Sequence, residues 1–264
     1  MNILIAIGGK EYSKPTLDLG MKIANAFEAT TTIAYVGKRI SQFSEKDVSV
    51  VHQNLDSREL YRPGVRTLEW AYDFLESKKY IKKDKSIAFN DHLLIDEENS
   101  RMRVLLKGSH SNKIDLILRT GEIIDQLRSE VATSNHDITI IGGGGNKGMH
   151  HKLVQFIDSS VMVVKNYSVN KQYKILLPVN NSTGSNKAIQ IAEKFAKSKK
   201  LPVEIITVLE NKSSDEKLRI ILEKTEQRFT NAGIKNTATI LEGNPVKTVV
   251  KYAKDGLTPS QIGI

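Results

Sequence analysis

The sequence predicts an α/β chain of two tandem parallel-sheet sandwiches. Two observations carry this. Short β-branched runs alternate with stretches of helical periodicity, the pattern of parallel strands joined by crossover helices. The pattern also occurs twice, with corresponding residues a constant 172 positions apart.

The first strand is Ile3-Leu4-Ile5-Ala6-Ile7, followed by Gly8-Gly9. Its counterpart is Ile175-Leu176-Leu177-Pro178-Val179, followed by Asn180-Asn181. A helix comes next in both copies. Leu17 falls on Ile189, Gly20 on Ala192, Ile23 on Phe195 and Ala24 on Ala196, which defines one inward stripe. A second β-branched run then matches Ile33 with Ile205 and Val36 with Val208.

Farther along, the apolar residues match at an offset of 123, with Ile117-Leu118 on Ile240-Leu241, Ile123 on Val246 and Leu127 on Val250. The first copy therefore carries 49 extra residues, within about 37–113. Arg66 to Lys78 reads as a helix in that insertion, with Leu68, Tyr72 and Leu75 on one face. Leu93-Leu94-Ile95 and Arg103-Val104-Leu105-Leu106 form a candidate hairpin across Asp96–Ser100. The second copy has one plain helix here, Asp215 to Ala232, with Leu218, Ile221, Leu222, Thr225 and Phe229 inward. Ser213 or Ser214 would cap it and Gly233 would end it.

Ile138-Thr139-Ile140-Ile141 falls on Gln261-Ile262-Gly263-Ile264. In the first copy this strand runs into a glycine loop, Gly142 to Gly148, then a helix of about Met149 to Ile157 and a last strand, Val161–Val164. The expected domains are 1–168, with its insertion, and 173–264, without the glycine loop and last strand.

Composition narrows the function. Hydrophobic residues make up 39% and charged residues 26%, enough apolar material for a packed core. No apolar run approaches the roughly 18 residues of a membrane helix, so no membrane partner is expected. Asn2 to Gly9 lacks a basic leader and reads as a strand, not a signal peptide. The absence of cysteine removes disulfide and thiolate chemistry and fits the expected cytoplasmic location. Of the net charge of +9, residues 171–264 hold +7. The lysines are scattered with few aromatics among them, so nucleic acid is not an expected partner.

The residues with chemistry to offer gather at strand ends. Gly142-Gly143-Gly144-Gly145-Asn146-Lys147-Gly148 stands between a strand and a helix. Glycines let backbone approach a ligand, and amides opening a helix can hold phosphate oxygens. Lys147 adds a charge. The spacing is not that of a P-loop, because Met149 follows Gly148 where that motif needs Lys and then Ser or Thr. No Asp or Glu ends the first strand, which argues against a metal-assisted hydrolase. His150 and His151 are adjacent and not four apart, so no metal site is expected. Ser13, Ser159 and Ser160 have no evident base partner, so no nucleophile triad is expected either.

With its glycine loop and element order, the chain resembles the universal stress protein family, whose fold is of the adenine-nucleotide α-hydrolase-like type. The family's ATP-binding members carry G-x-x-G, nine residues, then G-[S/T] before a final strand. Gly145-Asn146-Lys147-Gly148 supplies the first part, and Asp158-Ser159 stands where Gly-Ser is usual. Those members also place an aspartate after the first strand, where this chain has Gly8-Gly9 and Asn180-Asn181. The resemblance covers about 1–37, 114–166 and nearly all of 173–264.

It implies a stress-response or regulatory protein, more a binder than an enzyme, with a homodimer formed by pairing of Val161–Val164. It also implies one site for an adenine nucleotide such as ATP. Gly8, Gly9 and Val36 would line the base. Gly142, Gly143, Gly145, Asn146, Lys147, Gly148 and Ser159 would surround the phosphates. The alternatives are an interaction module without nucleotide and a weak nucleotide hydrolase.

Overall fold

Central strands of a parallel sheet are buried on both faces, and β1 (Asn2–Ile7) has that signature. Ile3, Leu4 and Ile5 are all fully buried. The computed structural model describes residues 1–37, 64–82, 95–97, 101–109, 113–143, 147–210, 216–255 and 261–263. The chain packs as two units, Met1–Tyr167 and Ser168–Ile264. No described helix is long and apolar enough to cross a membrane.

In the first unit, β1 turns through Gly8-Gly9 into α1 (Lys10–Phe27) and then β2 (Thr30–Gly37). The stripe of Leu17, Ile23 and Ala24 is buried as predicted. Gly20 lets α1 sit close on the sheet, since a Cβ there would stand 2.7 Å from Ile5 Cδ1. Glu28 ends α1 in the left-handed conformation, with φ of 51°.

The insertion contributes α2 (Val65–Ser77), β3 (Ile95–Glu97) and β4 (Arg101–Lys107). Leu68, Tyr72 and Leu75 of α2 are buried, on the expected face. β3 and β4 form the anticipated hairpin, but Asp96 and Glu97 belong to the ladder and not to the turn. Backbone pairing of Glu97 with Arg101 carries the strand further than its apolar residues suggest. Leu93 and Leu94 lie outside the described residues. β4 in turn pairs antiparallel with β5 (Lys113–Thr120).

The unit closes with α3 (Ile123–Ser134), β6 (Ile138–Gly142), α4 (Lys147–Phe156) and β7 (Ser160–Val164). Sheet order is β3-β4-β5-β2-β1-β6-β7, and the five strands from β5 to β7 are parallel. On one face Leu4, Ala34, Ile117 and Ile141 pack under Leu127 and Val131 of α3 and Leu153 of α4. Beside that core sits a buried charge cluster. Glu130 of α3 accepts hydrogen bonds from Arg101 Nε and Nη2, both at 2.8 Å, and from Arg119 Nε at 2.7 Å.

In the second unit the chain runs β8 (Lys174–Pro178), α5 (Thr183–Lys199), β9 (Val203–Leu209), α6 (Glu216–Asn231), β10 (Asn236–Glu242), α7 (Pro245–Asp255) and β11 (Gln261–Gly263). The four strands are parallel, in the order β10-β9-β8-β11. Leu222, Thr225 and Phe229 of α6 are buried, with Leu218 and Ile221 half-buried. The capping serines expected at 213 and 214 lie outside the described residues.

Backbone details of the first unit recur 172 positions on. Leu177 pairs with Ile205 as Ile5 pairs with Ile33. Lys200 ends α5 in the left-handed conformation, as Glu28 ends α1. After the third strand the ladder corrects the offset read from side chains. The Gly121 amide donates to the Gly37 carbonyl, and 122 positions later the Gly243 amide donates to that of Leu209. Ile138 opposes Ile3, while Ile262, 124 positions on, opposes Ile175. The added stretch between the second and third parallel strands is therefore 50 residues, not 49. The miss has a physical cause. β10 has no buried residue, so its apolar positions are weakly tied to a face and register is carried by the backbone.

Candidate functional site

Strand order reverses at β1: the chain moves to β2 on one side and later returns to β6 on the other. Crossovers that diverge in this way leave a crevice beyond the carboxyl ends of the two strands. A cavity of about 420 Å³ lies there, within the size range of small-molecule sites.

Its floor is apolar and made of small or branched side chains, namely Ala6, Ala34, Val36 and Ile141. Ile123 and Leu127 of α3 and Leu153 of α4 add to it. Glycines form the rim: Gly8, Gly9, Gly121 and Gly142. At two of them the geometry requires glycine. Gly121 has φ of +142°, and at Gly142 a Cβ would stand 2.9 Å from Thr16 Oγ1. Ser13 and Thr16, in the first two turns of α1, are buried hydroxyl residues on the wall. Ser13 Oγ accepts the Gly8 amide at 2.7 Å, which fixes the turn between strand and helix. Tyr12 stands at the lip and is 75% exposed.

The arrangement suits a ligand with two chemical ends. Apolar walls accept a flat ring. The rim offers backbone groups and the first turn of α1, whose amide dipoles favour a polar or anionic group. Among the described residues lining the cavity there is no carboxylate and no histidine. Among the described residues no cluster of three or more His, Cys, Asp or Glu could hold a metal ion.

Of the residues singled out from sequence, Gly8, Gly9, Val36 and Gly142 meet in this cavity. Gly143 adjoins it, and its amide donates to the Val164 carbonyl at 2.7 Å, tying the loop to β7. Gly145 and Asn146 lie outside the described residues. Lys147 and Gly148 belong to the first turn of α4, which begins two residues earlier than the periodicity indicated. Ser159 sits elsewhere. It precedes β7, and its hydroxyl is 2.6 Å from that of Thr139. The neighbouring Ser160 opposes Ile138, so Ser159 is at the amino end of these parallel strands, away from the mouth.

Sequence reasoning passed over Tyr12, Thr16, Gly121, Ile123 and Leu153 as lining residues. Ser13 was weighed only as a nucleophile. A signal for Ser13 was present: Ser185 stands 172 positions later, and its Oγ accepts the Asn180 amide at 3.0 Å. Gly121 was marked by its counterpart Gly243, also at positive φ.

A second cavity, of about 640 Å³, occupies the corresponding place in the second unit. Pro178, Asn180, Ser185, Ile206 and Val208 replace Ala6, Gly8, Ser13, Ala34 and Val36. It differs in polarity. Asn180 Oδ1 accepts the Ser182 hydroxyl at 2.6 Å, and Glu210 stands at the rim.

No protein-family model matches the chain, and no curated protein matches it. Solved structures do. A universal stress protein from Archaeoglobus fulgidus DSM 4304 aligns over 97% of this chain and 82% of its own, with a TM-score of 0.60 and 14% identity. A functionally unknown protein from Pseudomonas aeruginosa PAO1 aligns over 96% and 77%, with a TM-score of 0.58 and 13% identity. At this level of identity the likeness is one of fold, and the fold is that of universal stress proteins.

Proposed function

We propose that the chain is a cytoplasmic, non-enzymatic stress-response protein of the universal stress type, holding an adenine nucleotide in its first unit. The observation that carries this is the cavity at the β1–β6 crevice, with an apolar floor and a glycine rim. In this reading the base lies against Ala6, Ala34 and Val36. The ribose and phosphates point toward Gly8, Gly9, Gly142 and the backbone at the start of α4. We read the two units as tandem copies, on the strength of registers and turn hydrogen bonds that recur 172 positions apart.

Calorimetric titration with ATP tests the site. The wild-type chain is expected to bind, and Val36→Trp to lose about tenfold or more in affinity by filling the floor. Val36 is half-buried, so the larger ring can be taken without collapse and the thermal midpoint should stay close to wild type. Absence of heat with ATP and AMP would favour an interaction module instead.

The partner expected first is a second copy. β7 is an edge strand of the sheet, and such edges present unpaired backbone groups. Val163 on it is 41% exposed, and Val154 and Phe156 of the adjoining α4 are 58% and 51% exposed. Two β7 strands paired about a two-fold axis would cover all three. Light scattering should give about twice the chain mass of 29.5 kDa, and Val163→Lys should return the single-chain mass. A wild-type monomer at every concentration would exclude this pairing.

A further inference from the structure

The wall that α1 gives to the first cavity carries Tyr12, Ser13 and Thr16. Their counterparts 172 positions on, Gly184, Ser185 and Ala188 of α5, give the same wall to the second cavity. The serine is common to both units and serves the turn before its helix: Ser13 accepts the Gly8 amide as Ser185 accepts that of Asn180. Tyr12 and Thr16, four apart on one helix face, are what the first unit has in addition.

Thr16 is only 1% exposed. A threonine inside a helix commonly gives its hydroxyl to the carbonyl four residues back. Thr133 of α3 does so to Ser129, and Thr225 of α6 to Ile221. Among the described residues no hydrogen bond engages the Thr16 hydroxyl. Its oxygen opens on the cavity beside Gly142, where an added Cβ would stand 2.9 Å from it. A buried hydroxyl without a partner costs free energy, and alanine fills the same place in the second unit. A hydroxyl kept there calls for a partner from outside the chain.

We propose that Thr16 donates a hydrogen bond to a phosphate oxygen of the bound nucleotide and so selects nucleotide over nucleoside. This rests on the reading of the cavity as a nucleotide site. Phosphate is the group that fits. Thr16 faces Gly142, on the rim toward which the phosphates point in that reading, and the opening turns of α1 favour an anion. None of the described lining residues has a charged side chain, so the donors are neutral, and a hydroxyl on an anionic oxygen makes a short, strong bond. Where Ala188 replaces the donor, Glu210 stands at the rim and would repel a phosphate.

Calorimetric titration of the 264-residue chain with AMP and with adenosine tests the assignment. The wild type is expected to bind AMP more tightly than adenosine. Thr16→Val keeps the side-chain shape and removes the hydroxyl; it should weaken AMP about tenfold or more and leave adenosine within about twofold. Thr16→Ala, the second unit's side chain, should give the same split and guards against a valine variant that fails to fold. Thr16→Ser keeps the hydroxyl and should hold AMP within about threefold of wild type. If the valine and alanine variants bind AMP as the wild type does, or lose adenosine as much as AMP, the role of Thr16 is overturned and the nucleotide reading stands. A wild type that binds both ligands equally overturns the phosphate assignment. One that binds neither overturns the nucleotide reading with it.

Discussion

Glu130→Ala should destabilise the first unit by about 3–5 kcal/mol, because it leaves two buried guanidiniums without their anion. Glu130 has no exposed surface, and Arg101 and Arg119 are 7% and 2% exposed. Burial alone would raise the Glu130 carboxyl. Hydrogen bonds and charge from Arg101 and Arg119 outweigh it and hold the carboxyl below its usual 4.5. The cluster also fastens the insertion, since Arg101 is on β4 and Glu130 on α3. Hydrogen exchange at β4 and β5 amides reads the loss in this unit by itself. The triple variant Arg101→Met, Arg119→Met, Glu130→Leu should recover most of it, because an apolar cluster carries no desolvation cost.

A pH dependence follows from the same place. A carboxyl with a depressed folded value stabilises above its unfolded value, and that stability is lost as pH falls through the folded value. His136, 4% exposed, has its pKa pushed below 6.5 by burial. The unfolded chain therefore takes up that proton first. Stability should start to fall as pH drops below about 6.5 and fall further in the carboxylate range. Asp115, raised by burial, works in the opposite sense and softens the acid limb. Thermal midpoints against pH measure this, and His136→Gln should flatten the first part.

Phe229→Ala should cost the second unit about 3–5 kcal/mol. Phe229 is fully buried and, among the described residues, heads the fully buried side chains by volume. It lies on α6, which packs against β9 and β10, so its removal opens a void under that side of the sheet. Weakened exchange protection at β9 and β10 would report the loss. An unchanged pattern would mean that α6 is not needed to hold the sheet.

Most of the fold was legible because parallel strands and buried helix stripes write themselves in apolar periodicity. Ile3-Leu4-Ile5 and the stripe at Leu17, Gly20, Ile23 and Ala24 are cases where side-chain type and burial coincide. Legibility failed where backbone pairing decides. β10, half-exposed, was read one position out of register, and β3 begins its ladder among acidic residues. The site divided along the same line. Gly8, Gly9 and Gly142 announced themselves as glycines at strand ends. Gly121 and Thr16 did not, because their role depends on which strand ends lie side by side. Ser159 was drawn in by a motif spacing, yet parallel pairing with β6 carries it to the opposite end of the sheet.

The most direct measurement is an amide shift map of isotopically labelled protein with saturating ATP. The largest shifts should fall on Gly8, Gly9, Gly121 and Gly142, the rim of the first cavity. Shifts confined to the second unit, or none at these four glycines, would contradict a nucleotide held at the crevice between β1 and β6.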